Sequence, residues 1–302
     1  MKARYVIIAA FSFVAMAACQ QIEPETLVPE TVPASSDSLF TLTVQASKGF
    51  GTKALWIDDS GATDVLKAYW KSTEKVKVFR NGPDAGTLGV TTPGSGEKPA
   101  TAKLTGTISV PYLTVGDNLM LMLPRDSWDY TGQNGSLATL ETTYDYATAT
   151  VSVSSINGSD VTTDGTADFS NEQSVYRFGF KVSGDYIDPK AFTVSAAGGQ
   201  LVQSMSWNGS AWTADYGNIS VIPSSAPGDH FYYVSLRNDQ TTDDTYNFTI
   251  TGSDDALYMA SKPIPSSVLD APGKFISAQN INATKPDFSP ASGSVDNANN
   301  VL

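Results

Sequence analysis

Few side chains in this chain could carry covalent chemistry. Its 302 residues include one His and one Cys. His230 lies between Gly228-Asp229 and the aromatic run Phe231-Tyr232-Tyr233. As a base it would need an activated nucleophile, and no Gly-x-Ser-x-Gly turn supplies one, so it reads as a histidine of a loop or strand start. Asp58-Asp59, Asp243-Asp244 and Asp254-Asp255 resemble paired carboxylates. Neighbours on an extended chain point to opposite sides, so these dipeptides read as turn formers, not acid/base dyads. Asp160, Asp164 and Asp168 offer oxygen ligands, but without the calcium-loop spacing or its closing Glu. The expectation is a non-enzyme with no metal and no cofactor. The remaining candidates are rings: Trp128, Tyr130, Trp212 and Tyr216 lie near Gly, Asn and Asp. On exposed loops they could stack on sugars and make a glycan-binding surface; the competing reading is that they close the ends of β-sandwiches.

Cys19 has a different kind of context. Met1-Lys2-Ala3-Arg4 is followed by an apolar run to Ala18 and then by this Cys, the pattern of a secretory signal peptide over residues 1–18. Met16-Ala17-Ala18-Cys19 resembles the lipobox of bacterial lipoproteins, in which the Cys is acylated and becomes the first residue. Cys19 is then a lipidation site and the chain is held at the outer membrane, facing outward. The apolar run is shorter than the ~20 residues a spanning helix needs. With a single Cys there is no internal disulfide, so stability must come from buried apolar surface. The net charge of −12, without a basic cluster, argues against nucleic acid and anionic headgroups as partners.

Residues 19–38 carry Pro24, Pro29 and Pro33 and read as a semi-rigid spacer, able to hold the body up to ~60 Å from its anchor. The stretch that organises the rest comes next. Phe40, Leu42, Val44 and Ala46 alternate with polar residues, the period of a half-buried strand. Burying the three larger ones is worth roughly 5 to 9 kcal/mol at ~1.5 to 3 kcal/mol each. Ser47-Lys48-Gly49-Phe50-Gly51-Thr52-Lys53 follows, glycine-rich and open to a trypsin-like protease after Lys53 or Lys48. Excising the strand would leave an apolar groove and unpaired ladder groups, fit to accept another chain's strand.

From there the punctuation is that of an all-β protein. The first set of predicted strands is 75–79, 100–110, 118–123 and 147–154. The second is 175–182, 191–196, 203–207, 219–222, 231–236, 246–251 and 274–281. Asp64 to Trp70 and Ser136 to Tyr146 have helical spacing and predict short helical turns. Ser155 to Asn171 is rich in Asn, Gly, Ser, Thr and Asp and reads as a linker. The resulting organisation is two tandem β-sandwich domains, 39–165 and 172–288, with a polar tail at 289–302.

Several of these pieces, taken in order, resemble the fimbrillin family, the subunits of type V pili of anaerobic Gram-negative bacteria. They are the lipoprotein signal, a first strand ending in Gly51-Thr52-Lys53-Ala54, and Trp70 followed by Lys75-Val76-Lys77-Val78-Phe79. Gly135 to Glu141 ahead of Tyr144, Lys262-Pro263 and Pro272-Gly273-Lys274-Phe275 continue the likeness. The resemblance implies transthyretin-like sandwiches and a palmitate-bearing lipoprotein that matures when an extracellular trypsin-like protease removes the first strand. It also implies donor strand exchange, in which a neighbouring subunit's strand fills the groove, head to tail, so that the fimbrium grows as a filament. The partners are other fimbrial subunits and, in cell adhesion, a host glycan or protein. Two features depart from the family: Lys stands where the cut usually follows Arg, and the tail lacks an alternating apolar pattern. They leave room for a tip or accessory adhesin, or a surface lipoprotein that keeps its first strand.

Overall fold

The computed structural model describes residues 37–48, 55–58, 65–93, 98–269 and 275–286. The chain is all-β. Its first strands are β1 (Ser38–Lys48), β2 (Leu55–Asp58), β3 (Val65–Ala68), β4 (Lys75–Phe79), β5 (Asp84–Thr91), β6 (Thr101–Val110), β7 (Asn118–Leu123), β8 (Ser127–Asp129), β9 (Ala147–Asn157) and β10 (Asp160–Asn171). Seven of them close into a barrel in the order β1-β10-β9-β7-β4-β5-β6. The alternation that predicts each strand also fills its inside: Val76 and Val78, Leu104 and Ile108, Leu119 and Leu121, and Val151 and Val153 all point into one core. Closure removes the free edges a sandwich would expose.

Two expectations are overturned here. Asp64 to Trp70 does not form a helical turn: Val65–Ala68 is β3, paired antiparallel with β2. A partner strand outweighs a local N-cap and helical spacing, because strand preference is set by cross-strand neighbours. Ser155 to Asn171 is not a linker. It holds the end of β9, a turn at Gly158 with φ of 62°, and the twelve-residue β10. Val161, Ala167 and Phe169 are the inward residues, few but correctly phased, and Thr162, Asp164, Thr166 and Asp168 between them are exposed.

Between β7 and β9 the chain leaves the barrel. Ser136 Oγ accepts the Thr139 N–H and starts the single-turn helix α1 (Leu137–Thr139). A π-helical turn, Leu140–Tyr144, follows, with Leu140 and Tyr144 buried against Val175 and Tyr233.

The later strands are β11 (Ser174–Val182), β12 (Asp185–Ile187), β13 (Pro189–Ala196), β14 (Val202–Trp207), β15 (Trp212–Tyr216), β16 (Ile219–Val221), β17 (Tyr232–Leu236), β18 (Asp244–Gly252), β19 (Leu257–Ile264) and, after the short helix α2 (Ser266–Leu269), β20 (Phe275–Asn282). One sheet centres on β11, with β12 and β17 along one edge and β20 parallel on the other. The facing sheet runs β16-β13-β18-β19. Rings join them across the core: Phe180 meets Phe192 at 4.8 Å and Phe178 meets Phe248 at 5.0 Å between centroids. A third sheet, β15-β14-β8, adds Trp128 to this second core, where it stacks on Tyr146, which in turn meets Tyr130 edge-on. No helix among the described residues is long and apolar enough to cross a membrane.

The turn after β4 touches the turn after β14. Trp207 Nε1 donates to the Gly82 carbonyl at 2.9 Å, and Phe79 packs edge-on against Trp207. Gly82 has φ of 116°, and a Cβ there would lie 1.5 Å from the Gly209 carbonyl oxygen. Gly82→Ala should therefore cost about 2 kcal/mol or more through strain and separation of the two turns. A urea midpoint unchanged from the parent would show that this contact carries no stability.

Candidate functional site

The site is β1 and the walls that hold it. Along one edge β1 runs antiparallel to β6, from Ser38 opposite Val110 to Ser47 opposite Thr101. Along the other it runs parallel to β10, from Thr41 opposite Asp160 to Lys48 opposite Phe169, with a register shift between Thr43 and Gln45. Both rows of backbone donors and acceptors are thus engaged. Leu42, Val44 and Ala46 are fully buried in the barrel core, as their spacing predicts. Phe40 is only partly buried at the mouth of the barrel, so the inward set is shifted toward the end of the strand.

That shift reaches Lys48. It continues the inward parity of Leu42, Val44 and Ala46, and its side chain is 0% exposed. The ammonium lies 2.8 Å from both Glu74 carboxylate oxygens and 2.8 Å from the Tyr69 carbonyl, to all of which it donates. It also sits 4.3 Å above the Trp70 ring. Trp70 is buried edge-on against Phe169 of β10. Glu74, whose side chain is 4% exposed, further accepts the Lys71 N–H at 2.9 Å. The Lys48 side chain is thus enclosed and held by Glu74, and in this arrangement it is not available to the lysine pocket of a trypsin-like protease. Lys53 and Cys19 lie outside the described residues. The socket of Glu74 and Trp70 had no local signature: only the parity of Lys48 hinted at it.

The proposed glycan contacts are corrected as well. Trp128 and Tyr130 are 1% and 0% exposed, so neither can meet a sugar. Trp128 lies on β8, its Nε1 donating to the Arg125 carbonyl at 3.1 Å, and it stacks between Tyr146 and Trp212, whose ring centroid is 3.9 Å away. The β8 pairing with β14 pulls these rings inside, where a loop would have left them outside. Trp212 is half-buried against Trp128 and Trp207. Tyr216 alone of the four is exposed, at 45%, and its hydroxyl donates to Asp239 at 3.1 Å. Trp128→Ala should behave as a core truncation, costing about 3 to 5 kcal/mol in a urea titration. A loss under about 1 kcal/mol would mean that the ring is not part of the core.

The polar candidates fall into structural roles. His230, in the turn ahead of β17, places Nδ1 3.0 Å from Asp188, and Tyr232 donates to the same carboxylate at 3.1 Å. Burial pushes the Tyr232 phenol up, assisted by the Asp188 charge. Asp254 accepts the Ala256 N–H and the Tyr258 hydroxyl, which hold its carboxyl below the usual range, as expected of a turn former. Asp244 is buried and accepts from Gly198 N–H and Asn238. Among the described residues no three His, Cys, Asp or Glu side chains converge as a metal site.

No family model matches the sequence, and no curated protein does. The chain is similar in structure to a protein of Bacteroides ovatus described as a cell adhesion protein, at 11% identity and a TM-score of 0.40, over 83% of this chain and 97% of that one. It is similar to the tip fimbrial protein Mfa3 of Porphyromonas gingivalis at 10% identity and a TM-score of 0.37, over 74% and 81% of the two chains. It is also similar to a fimbrial assembly protein of Parabacteroides distasonis at 10% identity and a TM-score of 0.33, over 82% and 90%.

Proposed function

We propose that this chain is a structural or adhesive subunit of a cell-surface fimbria, exported as a lipoprotein on Cys19 and joined to its neighbours by replacement of β1. The observation that carries this reading is the place of β1 in the barrel. It is the first strand among the described residues, it is hydrogen-bonded on both edges, and it is followed by the glycine- and lysine-containing stretch 49–54. Its removal after a cut at Lys53 would leave β6 and β10 with facing unpaired ladders and a slot where Leu42, Val44 and Ala46 had been. A strand entering that slot regains both ladders at once, which few surfaces offer an extended peptide.

The fimbrillin-like pieces of the sequence agree with this reading, since they place the cut in the same stretch. With Lys48 enclosed, Lys53 is the residue we assign to maturation by a trypsin-like protease at the outer membrane. N-terminal sequencing of the surface-exposed form tests this directly. A chain beginning at Ala54 is the expected result; a blocked, acylated Cys19 on the assembled form would overturn strand replacement.

A further inference from the structure

We propose that the slot left by β1 is selective for a partner strand carrying a basic residue at one position, two places beyond three alternating apolar residues. The inference rests on the strand-replacement reading above and adds the chemistry of the strand that enters. Three acceptor atoms, the two Glu74 carboxylate oxygens and the Tyr69 carbonyl, converge on one ammonium at 2.8 Å, and the Trp70 face closes the fourth side. An ammonium has three donors and no acceptor, so this set satisfies it completely.

The Tyr69 carbonyl, the Trp70 ring and the Glu74 carboxylate lie on residues 69–74, outside the strand that would be cut away. When β1 leaves, the ammonium leaves with it. A replacement strand with an apolar residue at that place would seal the Glu74 carboxylate into the barrel wall with the Lys71 N–H as its remaining partner in the socket. A strand bringing a Lys restores the set. The register follows from β1 itself: parallel to β10, antiparallel to β6, with side chains of the types at Leu42, Val44, Ala46 and Lys48 directed inward. Residues 286–302 contain neither Lys nor Arg, so that tail does not carry the pattern. The occupant we assign is a strand of another subunit that presents apolar residues in the places of Leu42, Val44 and Ala46 and a Lys in the place of Lys48.

The test uses the full chain with the recognition site of a sequence-specific protease in place of residues 50–53. After cutting, fluorescent peptides are offered to displace the resident segment, and their retention is followed by anisotropy and gel filtration. The peptide Ser38–Lys48 should enter. The same peptide with Lys48→Met should bind at least about a hundredfold more weakly, the scale expected for removing one partner of a buried pair. A peptide of residues 286–302 should not compete. Equal binding of the Lys and Met peptides would overturn the cationic requirement while leaving strand replacement intact, as would entry of the 286–302 peptide with the affinity of Ser38–Lys48. Entry of no peptide would overturn strand replacement and this inference together. Because the changes are in the peptide, the fold of the receiving chain is the same in every arm.

Discussion

Leu42→Asp should leave the full chain unable to close its barrel. Leu42 is completely buried, opposite Gly106 on β6 and Val161 on β10, so the substitution removes an apolar contact and inserts a carboxylate into the same space. Losing the side chain alone costs about 2 to 5 kcal/mol, and an unpaired buried carboxylate adds several more. That total is comparable with the whole stability of an ordinary domain, ~5 to 15 kcal/mol. Far-UV circular dichroism with a urea titration reads the outcome, and Leu39→Asp is the matched control. Leu39 is on the same strand but 66% exposed, so its replacement should move stability by less than ~0.5 kcal/mol. Supplying wild-type Ser38–Lys48 peptide to the cut Leu42→Asp chain should restore the barrel, since the lesion then sits on the displaced piece. A Leu42→Asp chain as stable as the Leu39→Asp chain would remove β1 from the core and with it the basis of strand replacement.

The parts of this fold that could be read in advance are those where alternation is strong. Leu42-Thr43-Val44 and Leu119-Met120-Leu121 declare their strands because each inward position is large and apolar. β10 was illegible for the opposite reason. Its inward residues are Val161, Ala167 and Phe169, spread over a stretch otherwise made of Thr, Asp, Ser and Gly, and such a composition matches a loop unless the barrel that receives it is known. Local signals also lost to distant partners at β3, where Leu55–Asp58 supplied a pairing edge. The candidate site divides in the same way. The removable strand could be found by period, whereas the fate of its Lys depended on Glu74, 26 residues away in sequence. The aromatic candidates failed because a Trp beside turn residues looks the same whether its loop faces water or, like Trp128, pairs with a neighbouring strand and folds inward.

Lys48 gives the second large effect, and its direction depends on which partner is removed. Lys48→Met should cost about 3 to 5 kcal/mol, because the Glu74 carboxylate is left within the barrel wall without its ammonium. Glu74→Leu should cost a similar amount by removing the counter-charge of the buried ammonium above Trp70. The double variant is the informative one. Apolar side chains of similar volume at both positions remove both desolvated charges, and buried pairs replaced this way are often neutral or better. The two losses should therefore cancel in large part, giving a coupling of about 2 kcal/mol or more in a double-mutant cycle read by urea unfolding. Raising salt from 0.05 to 0.5 M should leave that coupling nearly unchanged, since the pair is shielded from solvent ions. The exposed Lys190–Asp255 pair, at 51% and 77% exposure, should lose what little it contributes. Single losses below ~1 kcal/mol that simply add would mean that Lys48 is held by its aliphatic stem alone. In that case β1 would be secured by Leu42, Val44 and Ala46, and any apolar strand of the right period could take its place.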